Sequence, residues 1–112
     1  MKPNREVIKK IIRTVMTVEK PHIRIGKRGI HDKLVQHIRN ILQSRGIIKI
    51  RILKNIAENK EDVIRISNEL KEKLGDFARI GEIRGRSIVI YAPSILRRKL
   101  SEKNDFQKIV RK

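Results

Sequence analysis

Lys20-Pro21-His22-Ile23-Arg24-Ile25-Gly26-Lys27-Arg28-Gly29-Ile30 is the stretch that decides the fold. Pro21 cannot continue a helix, and Ile23 and Ile25 alternate with His22 and Arg24, which predicts a strand with one apolar and one polar face. After the tetrapeptide Gly26-Lys27-Arg28-Gly29, the residues Ile30, Leu34, Ile38, Ile41 and Leu42 recur at helical spacing, and Gly46 offers a left-handed cap. The expected unit is strand, glycine turn, helix. Two glycines allow backbone angles and close approaches that side chains forbid. The first N–H groups of a helix have no partner within it, and its dipole favours an anion there. Lys27 and Arg28 add formal charge of the same sign, so the predicted occupant is a phosphate group.

Working outward, Val7, Ile8, Ile11, Ile12 and Val15 form the buried stripe of a first helix started by Pro3 and Asn4, with Lys2, Arg5, Lys9, Lys10 and Arg13 on its other face. Ile47 to Leu53 predicts a second strand, with Ile48, Ile50 and Ile52 packed and Lys49 and Arg51 on a basic face. Asn59 caps a third helix with the stripe Val63, Ile64, Ser67, Leu70 and Leu74, ended by Gly75. Phe77 to Ile83 and Ser87 to Tyr91 read as a hairpin around an Arg84-Gly85 loop, and Pro93 ends the sheet. The fold class expected is a single compact α/β domain, α-β-α-β-α-β-β, with a four-stranded mixed sheet. Both strand-helix-strand crossovers are expected to set parallel strands side by side. Residues 94–112 form a basic extension that is helical or orders only on a partner.

The 112 residues suffice for one domain and a two-layer core. Lys and Arg number 29 against 12 Asp and Glu, a net charge of +17, which calls for a polyanionic partner, nucleic acid before acidic membrane. No apolar run approaches the roughly 20 residues that span a bilayer, and no signal-peptide core is visible, so the expectation is a soluble cytoplasmic protein without a membrane partner. With no Cys, disulfides and thiolate zinc sites are excluded. Aromatics at 3% argue against a base-stacking sheet and leave the affinity to backbone contacts. Half of the acidic residues, Glu58, Glu61, Asp62, Glu69, Glu72 and Asp76, surround the third helix, which is therefore expected to face away from the polyanion.

The stretch from Lys20 to Ile30, the segment Ile47-Ile48-Lys49-Ile50-Arg51 and the ending Arg84-Gly85-Arg86-Ser87-Ile88-Val89-Ile90-Tyr91-Ala92-Pro93 resemble, in order and over most of residues 4–93, the CRM domain. This chloroplast RNA splicing and ribosome maturation family includes the bacterial YhbY proteins. The resemblance implies a fold like the C-terminal domain of translation initiation factor three and a glycine loop that engages RNA as KH domains do. It also implies an association with ribosomal precursor particles. Carried over residue by residue, the loop role falls on Gly26, Lys27, Arg28 and Gly29. Charge alone adds Lys20, His22, Arg24, Lys33, Lys49, Arg51, Arg84 and Arg86, with Lys9, Lys10 and Arg13 of the first helix as supporting contacts. Where the family pattern continues Leu-Thr, this chain has Ile30-His31, so the capping hydroxyl is missing and Asp32 is its expected partial substitute.

Plainer readings stand beside these. His22, His31 and His37 lack metal-ligand spacing and read as surface or core-edge histidines. The carboxylates of the third helix sit at ion-pair spacing to Lys60, Arg65, Lys71 and Lys73. Tyr91 stands alone and reads as a sheet-packing residue, and Lys49 and Arg51 read equally as solvated strand faces. The function expected is a non-enzymatic protein, monomeric when free, that needs no cofactor, metal or small-molecule substrate. It binds structured ribosomal RNA or a pre-ribosomal subunit during assembly. The alternatives are a permanent ribosomal component, an Alba-like chromatin protein and, last, an RNA-processing enzyme.

Overall fold

The computed structural model describes residues 5–101. In chain order they form α1 (Arg5–Val18), β1 (Ile23–Ile25), α2 (Asp32–Arg45), β2 (Ile47–Ile52) and a 3-10 turn (Lys54–Ile56). Then come α3 (Lys60–Leu74), a second 3-10 turn (Gly75–Phe77), β3 (Arg79–Arg84), β4 (Ser87–Tyr91) and α4 (Pro93–Leu100). The strands make one mixed four-stranded sheet in the order β1-β2-β4-β3. β1 pairs parallel to β2, and β4 lies antiparallel to both its neighbours. The α/β architecture expected from the pattern is the one observed, and no described helix is long and apolar enough to cross a membrane.

Alternation sorts the sheet's side chains into two cores. Ile23, Ile25, Ile48, Ile50, Ile52, Ile88 and Ile90 meet Ile38 and Leu42 of α2 and Val63, Ile66, Leu70 and Leu74 of α3. On the other face, Ile47 and Val89 meet Ile8, Ile11, Ile12, Val15 and Met16 of α1, together with Leu96 and Leu100 of α4. Burying one such side chain contributes about 1.5–3 kcal/mol. β2 is thus apolar on both faces where α1 crosses it, at Ile47, and basic only beyond.

Three expectations are corrected here. Only the first crossover sets parallel strands side by side, because after α3 the chain skips a position and β4 returns through the hairpin to fill it, between β2 and β3. The hairpin loop is Gly85-Arg86, not Arg84-Gly85: only Gly85 has positive φ, at +60°, and a two-residue turn with a single positive φ needs glycine at its first position. β3 begins at Arg79, since residues 75–77 are spent on the 3-10 turn after Gly75. The residues expected in an extension after Pro93 include α4, whose Leu96 and Leu100 are buried in the second core. The rest of the tail, residues 102–112, and the Pro3-Asn4 helix start lie outside the described residues.

Gly46 joins these layers. It ends α2 with φ +87°, donates its N–H to Leu42 O at 2.8 Å and accepts from Ala92 N at 2.8 Å. A Cβ there would lie 2.8 Å from the Leu96 backbone. Gly46→Ala is therefore expected to cost at least ~2 kcal/mol, backbone strain plus displacement of α4. Gly29→Ala, with φ +65° but nothing within 4 Å, should cost ~1 kcal/mol. Urea denaturation of the two variants measures the difference, and equal costs would remove the close approach of α4 as the cause.

Candidate nucleic-acid interface

β1 delivers the chain to the glycine turn. Ile23 and Ile25 are anchored in the core while Arg24 between them is exposed. Gly29 N–H then closes a turn on Gly26 O at 2.8 Å, which puts Lys27 and Arg28 at its two corners, both exposed. Gly29 takes φ +65°, the conformation that glycine tolerates best. Leu53 N–H donates to Ile25 O at 2.9 Å, and the Leu53 methyl lies 3.1 Å from where a Gly26 Cβ would sit, so the turn rests on the residue that follows β2.

Contrary to expectation, the turn does not open the helix directly. Ile30 and His31 intervene, and His31 is the N-cap: its Nδ1 accepts from Leu34 N–H at 3.3 Å. The imidazole supplies the acceptor that a hydroxyl would, so the substitute is His31 and not Asp32. The N–H groups of Asp32 and Lys33 have no partner within the helix, and Lys33 is exposed beside them.

Strand register gathers further cations at this end of the sheet. Arg24 and Arg51 are register partners on β1 and β2, both exposed, neither side chain with an ion pair or hydrogen bond among the described residues. Adjacent strands are about 4.8 Å apart, so two like charges stand side by side at a cost to the fold that an anion would relieve. Arg51 pairs in turn with Ser87 and Ser87 with Arg84, so the row continues across the sheet. Arg84 is partly neutralised, holding Glu82 at 2.7 Å and the Thr17 hydroxyl at 3.2 Å. Lys54, exposed in the 3-10 turn one residue after Leu53, belongs to the same end and was not among the expected contacts. Its signal was its place just past the strand beside the turn.

Other expected contacts are used differently. Arg86 donates through Nε to Ala57 O at 2.7 Å, tying the hairpin to the approach to α3. Lys49 Nζ donates to Met16 O and Glu19 O, at 2.6 and 2.8 Å, where the last carbonyls of α1 are exposed for capping. His22 accepts from Lys49 N–H through Nδ1 at 3.0 Å, and its Nε2 lies 3.3 Å from Glu19. Two of Lys49's three donors and both ring nitrogens of His22 are thereby committed to the protein. Lys20 is exposed in the link from α1 to β1. Lys9, Lys10 and Arg13 are exposed along α1, and Lys9 lies toward the far end of the sheet, beside Arg79 and Tyr91.

Glu19 holds this junction together. Its side chain is 5% exposed and lies between His22 and the Arg45 guanidinium at the end of α2. Burial alone would raise its pKa, but the hydrogen bonds from His22 and Arg45, with the charge of the Arg45 guanidinium, outweigh it and hold the carboxyl at about 2, against the usual 4.5. Neither Glu19 nor Arg45 was singled out from sequence.

α3 packs on the sheet face opposite Arg24 and Arg51, with its exposed carboxylates on that side. Its first turn nevertheless starts at the loop end of the sheet, where Asn59 caps Asp62 N–H at 2.9 Å and Asp62 pairs with Arg65 at 3.1 Å. No group of three or more acidic or histidine side chains among the described residues could hold a metal ion.

The fold and this end of the sheet define a basic α/β domain with a cationic glycine turn braced by two strands. The family model that matches, over residues 5–91, is that of the CRS1/YhbY (CRM) domain, and the chain belongs to this family. A relative, "Probable RNA-binding protein YqeI" of Bacillus subtilis (strain 168), is 30% identical over 74 residues, covering 66% of this chain and 72% of the relative. The solution structure of protein SAV1595 from Staphylococcus aureus, described as a candidate RNA-binding protein, superposes with a TM-score of 0.59. It is 29% identical, with 74% of this chain and 81% of that one covered.

The Glu19 clamp gives stability a defined acid limb. A carboxyl with a lowered folded-state pKa contributes stability that is complete above the unfolded value near 4.5 and is lost as pH falls toward about 2. The shift corresponds to roughly 3 kcal/mol. Urea midpoints between pH 7 and 2 should fall more steeply for the wild type than for Glu19→Gln, and the variant should be weaker at pH 7. Parallel profiles would show that Glu19 carries no such linkage.

Proposed function

We propose that this chain is a non-enzymatic RNA-binding protein that grips the phosphate backbone of structured ribosomal RNA with its glycine turn and acts in ribosomal subunit assembly in the cytoplasm. The observation that carries the reading is the in-register pair Arg24 and Arg51, uncompensated and exposed, immediately before a turn whose corners are Lys27 and Arg28. Together with Lys33 and Lys54 they form one cationic end of the sheet, suited to several adjacent phosphates. The turn is open on the Gly29 side, where a Cβ would meet nothing within 4 Å, so a ribose-phosphate chain can approach the backbone itself. The net charge of +17 and the RNA-binding descriptions of YqeI and the Staphylococcus protein support the same partner. The family resemblance is what supports ribosomal RNA as the particular target.

Lys27→Ala with Arg28→Ala should leave the thermal midpoint within about 2 °C, because both side chains are exposed at turn corners. The pair should weaken binding to a ribosomal RNA hairpin tenfold or more, as expected for losing two phosphate contacts. With four to six phosphates neutralised, log affinity falls against log salt with a slope of about −3 to −5, and the double variant should lose about 1 to 2 of it. Fluorescence anisotropy between roughly 50 and 300 mM salt reads both quantities. Unchanged affinity would remove the turn from the interface.

A further inference from the structure

At the end of the sheet away from the glycine turn, α1, the start of β3, the end of β4 and the start of α4 enclose a cleft of about 380 Å³. Its rim carries Arg5, Lys9, Arg79 and Arg97, all exposed, and no carboxylate among the described residues lines it. None of the four side chains has an ion pair or hydrogen bond among the described residues. Its floor is apolar, made by Ile8, Ile12 and Ile80, with the half-buried Tyr91 and Pro93 at one side. The cleft has a cause in the chain: at Gly81 the pairing of β3 with β4 shifts register, and a Cβ on Gly81 would meet Ile12 at 3.0 Å. A bulge on an edge strand, without a side chain, lets α1 settle against the sheet and leaves the hollow beside it.

Four unopposed cations round an apolar floor match a nucleotide, whose phosphate answers the rim and whose base answers the floor and the Tyr91 ring. α1 joins this cleft to the turn's end of the sheet. Arg5, Lys9 and Arg13 recur every fourth residue along one stripe, and Thr17, one turn further, touches Arg84. From Arg5 to Thr17 the helix rises about 18 Å, long enough to run beside several consecutive phosphates of one RNA strand.

We propose that this cleft is a second RNA site, which takes one nucleotide of the same RNA that the glycine turn holds, with phosphate at Arg79 and Arg97 and base against Tyr91. The proposal rests on the RNA-binding reading above.

The test uses the full chain and a fluorescein-labelled ribosomal RNA hairpin of about 30 nucleotides, long enough to reach both ends at once. Arg79→Ala with Arg97→Ala should weaken binding at least about fivefold and reduce the salt slope by about 1 to 2, whereas Arg79→Lys with Arg97→Lys should restore both. Lys60→Ala with Lys73→Ala, the same charge loss on α3, should change affinity less than about twofold. Photo-crosslinks from 4-thiouridine in the hairpin should fall on Tyr91 and vanish in the Arg79/Arg97 alanine variant. If that variant binds no more weakly than the α3 control while Lys27→Ala with Arg28→Ala does, the cleft is overturned and the turn stands. If the wild type shows no salt-dependent binding to the hairpin, both readings fall together.

Discussion

A carboxylate set between a guanidinium and an imidazole, with only 5% of its side chain exposed, governs the geometry of this protein. Glu19 directly follows α1, Arg45 ends α2 and His22 directly precedes β1, so one cluster pins the ends of three elements that no continuous secondary structure joins. Removing Glu19 or Arg45 would leave a desolvated charge uncompensated, which costs more than the pair contributes when intact. Lys49 extends the cluster by capping α1, and its own N–H binds His22. β1 has only three residues, too few for its ladder to fix its position alone. The clamp at its start and the Leu53 contact at its end supply the missing constraint, and the glycine turn inherits its placement from both.

The cations accordingly divide by what they face. Arg45, Lys49 and Arg86 are turned into the molecule and satisfied by a carboxylate or by backbone carbonyls. Arg24, Arg51, Lys27 and Arg28 are turned out, and no opposite charge answers them among the described residues. Self-repulsion among the second set lowers stability, and the isoleucine-rich cores on the two sheet faces offset it. A surface selected for stability alone would intersperse acids among these residues, as α3 does with Asp62 and Arg65.

Periodicity made much of the fold legible. The stripes of α1 and α2, the alternation of β1 and β2 and the glycine caps at Gly46 and Gly75 all follow from local pattern, and local pattern is what a sequence exposes. In the α3 stripe the buried isoleucine is Ile66, while the expected Ile64 is exposed. The errors arose where a choice depends on distant partners. The order of β4 and β3 is decided by which strand fills the slot beside β2, and nothing within α3 records it. Lys49 and Arg51 alternate identically along β2, yet the first is drawn inward because α1 ends over it, and the second is left out because α1 does not reach that far. His31 could be recognised as a cap only once Leu34 N–H was seen within reach of its ring. For the site, the turn was readable from its glycines and charges. The Arg24 and Arg51 pairing required the register, and Glu19, an isolated acid before Lys20, gave no local sign of its role.

The same charges also stand on the edges of the open sheet. Among the described residues no further strand lies beside either edge of the order β1-β2-β4-β3, and such edges would invite another strand. On β1 the edge is short, and Arg24 stands on it with the cationic turn at its end. On β3 the edge is interrupted by the register shift at Gly81 and flanked by Arg79 and Arg84. A second copy approaching either edge brings like charge against like charge and meets, on one side, too little strand to pair with and, on the other, a bulge. An RNA backbone meets neither obstacle, since it brings the opposite charge and asks for no ladder of hydrogen bonds. Both edges are therefore less suited to a strand of a second copy than to a polyanion, and the residues responsible are those that already shape the turn and the bulge.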